Sequence, residues 1–357
     1  MVVLHFLFFV SYSILDQSII NQKFKTMYIV NSYFLAVVLC FVTMLCWGSW
    51  ANTQKLAQES WRFELFYWDY VIGILLMSLL FSFTLGSAGE LGRGFLADLS
   101  QAEMSNIGNA LLGGIIFNAA NILVAAAISI AGMAVAFPVG IGIALVLGVL
   151  VNYVANPQGN AFWLFTGVIV ITLAIVLDAI AYKKKSAQSQ KVPTKGIVLS
   201  IVGGVMMALF YRFVASSMVT NFETPETGLL TPYTAVFVFS IGILVSNFIF
   251  NTLLMKKPFE GVPVTYSQYF RGKLKEHLTG ILGGMIWCVG MTFSIIAAGK
   301  AGFAISYGLG QGATLVAALW GVFIWKEFKG SKGTTGLLAT MFALFLVGIG
   351  MIIYAGI

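Results

Sequence analysis

A duplicated apolar stretch is the feature that most constrains the fold of this chain. Residues 111–153 recur at 281–323 with a constant offset of 170 positions, so that Gly113-Gly114 aligns with Gly283-Gly284. Each copy consists of two apolar runs around a short break of small residues, and each run has about 20 residues, the length that a helix needs to cross a hydrocarbon core. The pattern therefore predicts a transmembrane helical hairpin that occurs twice.

Composition agrees with a membrane protein. Of the 357 residues, 59% are hydrophobic and 9% are charged, whereas a soluble domain carries about one quarter charged residues. The three cysteines lie inside apolar runs, so they do not indicate a disulfide framework. The sequence contains no HExxH, GxSxG or P-loop pattern. We therefore expect neither an enzyme nor a site for a metal or organic cofactor.

Hydropathy predicts an all-α polytopic protein with ten spans. They lie at about 32–52, 64–86, 107–129, 133–155, 161–182, 196–219, 231–255, 277–298, 302–325 and 335–356. A basic linker at 183–195 separates a first five-helix repeat, 27–182, from a second, 196–357. Because five is odd, the second repeat enters the membrane from the opposite face. The repeats are therefore predicted to be inverted, as in many secondary transporters.

Residues 1–26 differ from the rest of the chain. The apolar run 2–10 is too short to span a bilayer and lacks the basic flank and cleavage site of a signal peptide. Two interpretations stay open. Either the start codon is assigned too far upstream and Met27 is the working start, or the segment is a translated but loosely ordered leader.

Lysine and arginine are distributed unevenly between the two sides. Four lie in loops on the N-terminal side, fifteen lie in loops on the other side, and Arg212 lies inside the sixth span. Loops rich in these residues stay cytoplasmic, so we expect a multi-pass protein of the cell (inner) membrane with both termini outside. This topology accounts for the net charge of +7, which therefore gives no reason to expect a nucleic-acid partner.

Asp69 is the acidic residue with the most apolar sequence around it. A carboxyl group desolvated in a span can take up a proton together with a substrate, so Asp69 is predicted to couple transport to protons. The alternative is structural: Asp69 lies about 7 Å into the second span and pairs with a base such as Lys55.

Arg212 follows Tyr211 in the sixth span. Its planar guanidinium could hold an anionic or carbonyl-rich substrate, and it is the second candidate for coupling. The alternative is that the side chain reaches the outer surface, about 10 Å away, or forms a structural ion pair.

Polar and aromatic residues in other spans could line a binding site. Asn118 and Asn121 share one helix face because they are three positions apart, and they could bond either a substrate or a neighbouring helix. Aromatic rings with a few amides are a usual lining for a polar ligand. The candidate lining residues are Trp47, Trp50, Asn118, Asn121, Tyr211, Arg212, Trp287, Tyr307 and Gln311. Trp61, Trp320 and Trp325 are predicted to lie in the aromatic belt at the membrane surface.

The glycine runs 138–142 and 308–312 lie in mid-span with no strand before them, so they are not phosphate loops. Small residues at such positions let helix backbones approach closely. We expect them to serve helix packing.

Several short stretches carry a family resemblance. They are Trp47-Gly48-Ser49-Trp50, Trp68-Asp69-Tyr70, Gly113-Gly114 with Asn121, Asn152-Tyr153, the run 233–240, and Leu319-Trp320-Gly321 with Glu327. With the ten spans, these stretches resemble the drug/metabolite transporter superfamily (the EamA-like fold). Within that superfamily the chain resembles a bacterial member of the branch that contains the plant ureide permeases and the bacterial glucose/ribose and rhamnose porters. One departure is that plant ureide permeases carry a long central loop, whereas residues 183–195 form a short one.

The resemblance implies a proton- or cation-coupled permease for a small polar solute, such as a ureide, a nucleobase or a sugar, that works by alternating access. Two rival functions stay open, an efflux transporter and a non-transporting membrane scaffold or receptor subunit. The internal duplication argues against the scaffold, because inverted repeats serve a two-sided mechanism. The number of spans leaves both a monomer and a homodimer open.

Overall fold

The computed structural model describes residues 26–57, 61–131, 133–185, 193–259 and 261–357. The predicted leader lies outside these residues except for residue 26, and so do Gly132 and the middle of the basic linker, 186–192.

The apolar runs form helices, because a segment in lipid must satisfy its backbone hydrogen bonds internally. In chain order the helices are α1 (Tyr33–Ser49), α2 (Asn52–Leu56), α3 (Phe63–Phe83), α4 (Phe95–Gln101), α5 (Met104–Ala131), α6 (Met133–Ala155), α7 (Ala161–Lys185), α8 (Thr194–Ser216), α9 (Pro232–Lys256), α10 (Tyr266–Phe270), α11 (Leu274–Ala301), α12 (Phe303–Gly310), α13 (Ala313–Leu319) and α14 (Thr335–Tyr354), with a π-helical turn at Trp320–Ile324 after α13. Within the described ranges no strand forms.

Among the described residues, eight helical segments are long and apolar enough to cross a membrane, where α12, α13 and the π-helical turn count as one segment. The other two predicted spans contain the shorter apolar helices Tyr33–Ser49 and Val139–Ala155. Large apolar side chains such as Phe34, Val154 and Phe162 are exposed on the outside of the bundle. A helix that is apolar on its outer face as well as its inner face is typical of a bundle surrounded by lipid, so the prediction of a helical membrane protein is confirmed.

Helices from the two halves pack against each other. Helix α5 packs on α8 and α9, α11 packs on α1 and α3, and α7 packs on α14. Backbones approach closely in two of these contacts: a Cβ at Gly73 would lie 2.1 Å from the Ile281 carbonyl oxygen, and a Cβ at Gly242 would lie 2.2 Å from that of Leu111. These backbone contacts hold the halves together along both α3 and α9.

The glycine runs pack closely, as predicted. A Cβ at Gly204 would lie 2.4 Å from the carbonyl oxygen of Gly140, and one at Gly310 would lie 2.8 Å from the ring of Trp47. The second run also interrupts its span, since α12 ends at Gly310 and α13 begins at Ala313. In the first half, α6 continues through Gly140.

Salt bridges mark the two ends of the bundle. At one end, here called the basic end, the Glu327 carboxylate lies 3.4 Å from Lys55 Nζ and 3.5 Å from Lys185 Nζ. At the opposite end, the fully buried Asp98 accepts from Arg93 Nε at 2.7 Å and from the Thr231 backbone N–H at 2.7 Å. Asp98 on α4 thereby ties the first half to the start of α9.

Candidate functional site

Four helices, α1, α5, α9 and α11, bring flat rings together in the middle of the bundle. We call Trp47, Phe117, Phe239 and Trp287 the aromatic cluster. The Trp287 ring centroid lies 4.3 Å from that of Phe117 and 6.0 Å from those of Trp47 and Phe239, and the latter two rings are within 18° of parallel to it. The indole Nε1 of Trp47 donates to the Trp287 carbonyl oxygen at 3.2 Å. The packing thus joins the two predicted tryptophans to two phenylalanines that were not predicted.

A hydrogen-bonded group, here called the amide cluster, links α3, α5 and α9. It consists of Tyr67, Asn118, Asn121 and Ser246. The Tyr67 hydroxyl donates to Asn118 Oδ1 at 2.9 Å and accepts from Asn121 Nδ2 at 3.2 Å, while Asn118 Nδ2 donates to Ser246 Oγ at 2.9 Å. Both asparagines point to the same hydroxyl, so they share one face, as their spacing predicts.

Some buried polar atoms near these clusters lack partners. The Tyr70 hydroxyl and both amide atoms of Asn247 are buried without a hydrogen-bond partner among the described residues. Asn247 lies on α9 between Ser240, which bonds Ser78 of α3 at 2.8 Å, and Asn251, which donates to the Glu64 carbonyl oxygen at 2.8 Å. Helical spacing therefore places Asn247 on the face of α9 that meets α3.

An unpaired buried polar group costs about 1–3 kcal/mol, and such groups in a native protein call for an explanation. Asn247 presents one donor and one acceptor group, and Tyr70 presents a hydroxyl. This part of the interior therefore has hydrogen-bonding capacity that a polar ligand could use. Trp50, another predicted lining residue, lies beside it, with its ring centroid 4.6 Å from that of Tyr70.

The remaining predicted residues lie apart from these clusters. The Tyr211 hydroxyl is 3.1 Å from Ser294 Oγ, closer to the opposite end of α11. The Tyr307 hydroxyl lies 3.1 Å from the Ala144 carbonyl oxygen and so ties α12 to α6. Gln311 lies at the break after α12.

Arg212 is half-buried, and the structure brings it into neither cluster. No described residue forms a hydrogen bond or an ion pair with its guanidinium. A role for Arg212 stays a prediction.

At the basic end, Asp69 is enclosed by a group that we call the Asp69 cluster: Asp69, Trp61, Tyr269 and His277. Asp69 Oδ1 accepts from the Tyr269 hydroxyl at 2.7 Å and lies 2.9 Å from His277 Nδ1. Asp69 is 1% exposed, and its Oδ2 has no partner among the described residues. When the Asp69 carboxyl is ionised it can only accept, and the imidazole Nδ1 then carries the donated hydrogen.

Two sequence predictions change at this cluster. Lys55 does not pair with Asp69, because its ammonium lies on Glu327. Trp61 is 6% exposed and does not face the membrane surface, because its ring stacks on Tyr269 at 6.0 Å and meets the edge of His277 at 5.1 Å. Trp325, by contrast, is partly exposed, in keeping with a position at the membrane surface.

Besides Phe117, Phe239 and Ser246, the residues missing from the sequence prediction are Tyr67, Tyr70, Asn247, Tyr269 and His277. His277 begins an apolar run and Tyr269 lies in a loop, so hydropathy places neither in a site. Tyr67 and Tyr70 lie beside Asp69 in an aromatic run. They are three positions apart, so the sequence places both on one face of the helix, which was a usable signal. Asn247 is an amide inside an apolar span, which is also a usable signal.

Comparison with known proteins gives a family for the whole chain. The ureide permease family profile matches residues 66–195 and 188–355. Ureide permease 1 of Arabidopsis thaliana is 23% identical over 385 residues, which cover 91% of this chain and 98% of the relative. Ureide permease 4 of the same plant is 23% identical over 394 residues, with the same coverage. A probable glucose uptake protein of Staphylococcus aureus is 28% identical over 115 residues, which cover 32% of this chain and 34% of that protein.

Proposed function

Since the chain belongs to the ureide permease family, and is therefore an integral multi-pass membrane transporter of small solutes, we propose that it imports a small planar polar solute in symport with protons. The solute carries adjacent carbonyl and N–H groups, as ureides and nucleobases do. Transport proceeds by alternating access between the two halves of the bundle.

One observation carries this proposal: the interior of the bundle holds a cluster of flat rings and, on the face of α9 that meets α3, the Asn247 amide without a hydrogen-bond partner among the described residues. The aromatic cluster offers ring faces on which a planar solute can stack. Asn247 offers a donor and an acceptor from one amide, which match a neighbouring N–H and carbonyl of a solute. Because these groups are buried, a solute that pairs with them gains the hydrogen bonds that the empty site lacks.

The finer architecture of the proposal is that of two inverted five-helix repeats with ten spans, as in the drug/metabolite transporter superfamily. The offset of 170 residues supports it. So do the paired backbone contacts: a Cβ at Gly114 would lie 2.1 Å from the Phe239 carbonyl oxygen, and one at Gly284 would lie 1.9 Å from that of Tyr70. The basic end faces the cytoplasm and both termini lie outside the inner membrane of a bacterial cell, because the Lys- and Arg-rich loops stay inside.

Asp69 is the coupling carboxyl of the proposal. It is buried, its hydrogen bonds with Tyr269 and His277 both end on Oδ1, and it lies on the same helix as Tyr67 and Tyr70, which belong to or adjoin the solute-binding region. A proton bound at Asp69 and a solute bound near Tyr67 can therefore influence the same helix.

The test uses purified protein in proteoliposomes with an inward proton gradient. Allantoin, uracil, glucose, ribose and rhamnose are added in turn, and internal acidification and solute uptake are both followed. The parent is compared with Asp69→Asn and with Glu327→Gln, which removes another carboxylate at the same end. We expect uptake and acidification with allantoin or uracil in the parent and in Glu327→Gln, and uptake without acidification in Asp69→Asn.

Each other result removes a part of the proposal. Uptake of a sugar instead of allantoin or uracil would overturn the planar-solute assignment and favour the function of the Staphylococcus aureus relative. Acidification that persists in Asp69→Asn would remove Asp69 from coupling. No uptake in protein shown to be folded would overturn import, and drug efflux would then be tested next.

A further inference from the structure

The Asp69 cluster joins three separate segments at the basic end. Asp69 lies on α3, His277 lies on α11, and Tyr269 lies on α10, the short helix in the loop between α9 and α11. Tyr269 and His277 meet edge to face with ring centroids 4.9 Å apart, and Trp61 closes the group from the segment before α3. The single oxygen Asp69 Oδ1 thus holds a loop of the second half onto a helix of the first.

The opposite end has a corresponding contact with different chemistry. Adding 170 to the bounds of α4 gives residues 265–271, which contain α10, so the two loop helices correspond in sequence. Helix α4 is held to α9 through Asp98, whose two oxygens accept from Arg93 and Thr231. Both Asp98 oxygens are therefore occupied, and Arg93 stays charged at any physiological pH. Asp69, by contrast, takes the bonds from Tyr269 and His277 on Oδ1 alone, and one of these partners is a histidine.

We propose that Tyr269 and His277 are positioning residues of the coupling site, and that they convert protonation of Asp69 into release of the α10 loop and opening of the basic end. This inference rests on the proposed coupling at Asp69. With Asp69 ionised, both donors are held and the basic end is closed. A proton from water that binds Oδ2 turns the carboxylate into a neutral acid, and the bonds to Oδ1 lose their charge assistance.

The size of the change follows from hydrogen-bond energetics. Bonds to an ionised acceptor are roughly twice as strong as neutral ones, and two such bonds end on Asp69 Oδ1. Burial and the hydrogen bond to Asp69 raise the pKa of Tyr269, so its hydroxyl stays a donor at neutral pH. Both hydrogen bonds therefore depend on the charge of the Asp69 carboxyl, on which they end.

Other charged groups surround the cluster from each packed element. The segment before α3 contributes Arg62, which pairs with Glu64 on α3 at 2.5 Å. The turn after α10 contributes Arg271 and Lys273, and α11 contributes Lys275 and Glu276, whose carboxylate accepts from the Lys273 backbone N–H at 2.7 Å. The contacts to the Asp69 carboxylate described above come from Tyr269 and His277. Neutralising Asp69 therefore acts on those two residues first.

The arrangement suits import with protons. A proton that arrives with the solute from outside neutralises Asp69 and releases the α10 loop at the cytoplasmic end. Loss of the proton to the cytoplasm restores the carboxylate, and Tyr269 and His277 close the end again. The opposite end lacks this response, because Asp98 is held by Arg93.

The test is amide hydrogen exchange of the full chain in lipid nanodiscs, read by mass spectrometry between about pH 5 and pH 8, the range over which histidine and perturbed carboxyls titrate. Protection of residues 265–273 is calculated by comparing their exchange rate with that of an unstructured peptide of the same sequence at the same pH. Residues 95–101 at the opposite end are the matched control. We expect protection of 265–273 to fall by about tenfold at the acidic end, equivalent to one lost hydrogen bond, while protection of 95–101 stays constant.

Three variants separate this role from a merely structural one. Asp69→Asn is expected to lower protection of 265–273 at every pH and to abolish the pH dependence, and Tyr269→Phe to lower protection while part of the response remains through His277. His277→Gln, which keeps a hydrogen-bond donor for Asp69, is expected to retain the pH response. Constant protection in the parent, or Asp69→Asn as protected as the parent, would overturn the inference. Solute uptake in vesicles is measured separately, so that failure here and failure of the proposed transport are distinguishable.

Discussion

The contact between α5 and α9 offers a sharp test of the packing described above. Gly114 faces the backbone of α9, where a Cβ would lie 2.1 Å from the Phe239 carbonyl oxygen and 2.9 Å from the Ile243 nitrogen. Real Cβ atoms essentially never approach within 3.0 Å of such atoms, and a backbone carbonyl cannot rotate away as a side chain can. In Gly114→Ala, α5 and α9 must therefore separate by about 0.9 Å.

The net effect on stability combines two opposing terms. Overpacking of this kind costs about 1–3 kcal/mol. Replacing a mid-helix glycine by alanine stabilises the helix by roughly 0.5–1 kcal/mol. We therefore expect a net loss of up to about 2.5 kcal/mol. Gly108 lies on the same helix with nothing within 4 Å of its added Cβ, so Gly108→Ala should show the helix term alone and be neutral or slightly stabilised.

Thermal unfolding of both variants in the same detergent measures the difference. A loss of 1 kcal/mol corresponds to a fall of about 2–4 °C in Tm for a mid-sized protein, so Gly114→Ala should unfold at least about 2 °C below Gly108→Ala. Gly284→Ala should behave like Gly114→Ala, because its Cβ would lie 1.9 Å from the Tyr70 carbonyl oxygen. Equal Tm values for Gly114→Ala and Gly108→Ala would refute the close backbone contact.

Three further substitutions test the clusters at different depths. Asn118→Ala removes the acceptor of the Tyr67 hydroxyl, and an unpaired buried group costs about 1–3 kcal/mol. We therefore expect kcat/KM for solute uptake to fall at least about fivefold. Unchanged uptake would exclude the amide cluster from the solute site. Asp98→Asn leaves Arg93 without its buried partner and should cost about 3–5 kcal/mol in unfolding; a loss below about 1 kcal/mol would contradict the buried tie at the opposite end. Glu327→Gln breaks pairs that are partly exposed and should cost under about 1 kcal/mol; a loss as large as that of Asp98→Asn would contradict their surface character.

The helical membrane fold follows from local sequence. Long apolar runs with few charges can satisfy their backbone groups in lipid only as helices, and the predicted spans correspond to observed apolar helices. The glycine runs 138–142 and 308–312 predicted close helix packing, and the contacts of Gly140 and Gly310 show that approach. The shared face of Asn118 and Asn121 also follows from spacing alone, because a helix places positions three apart side by side.

Residues that act across helices required the tertiary structure. Asp69 could be selected from its apolar surroundings, yet its partners are 200 and 208 positions away. Nothing local distinguishes Tyr269 in a loop or His277 at the start of a span from other surface residues. Lys55, the nearest base in sequence, pairs instead with Glu327 because the second half brings that carboxylate to α2.

The sequence by itself determined that this chain crosses a membrane as helices, that one apolar stretch recurs at an offset of 170 residues, and which polar residues the apolar runs contain. These properties depend on hydropathy, length and periodicity, which are local. Only the tertiary structure decided which of those polar residues meet: Tyr67 with two asparagines, Trp47 with Trp287, and Asp69 with a tyrosine and a histidine. The physical reason is that such contacts depend on how helices distant in sequence pack side by side, and residue spacing within one helix carries no information about that.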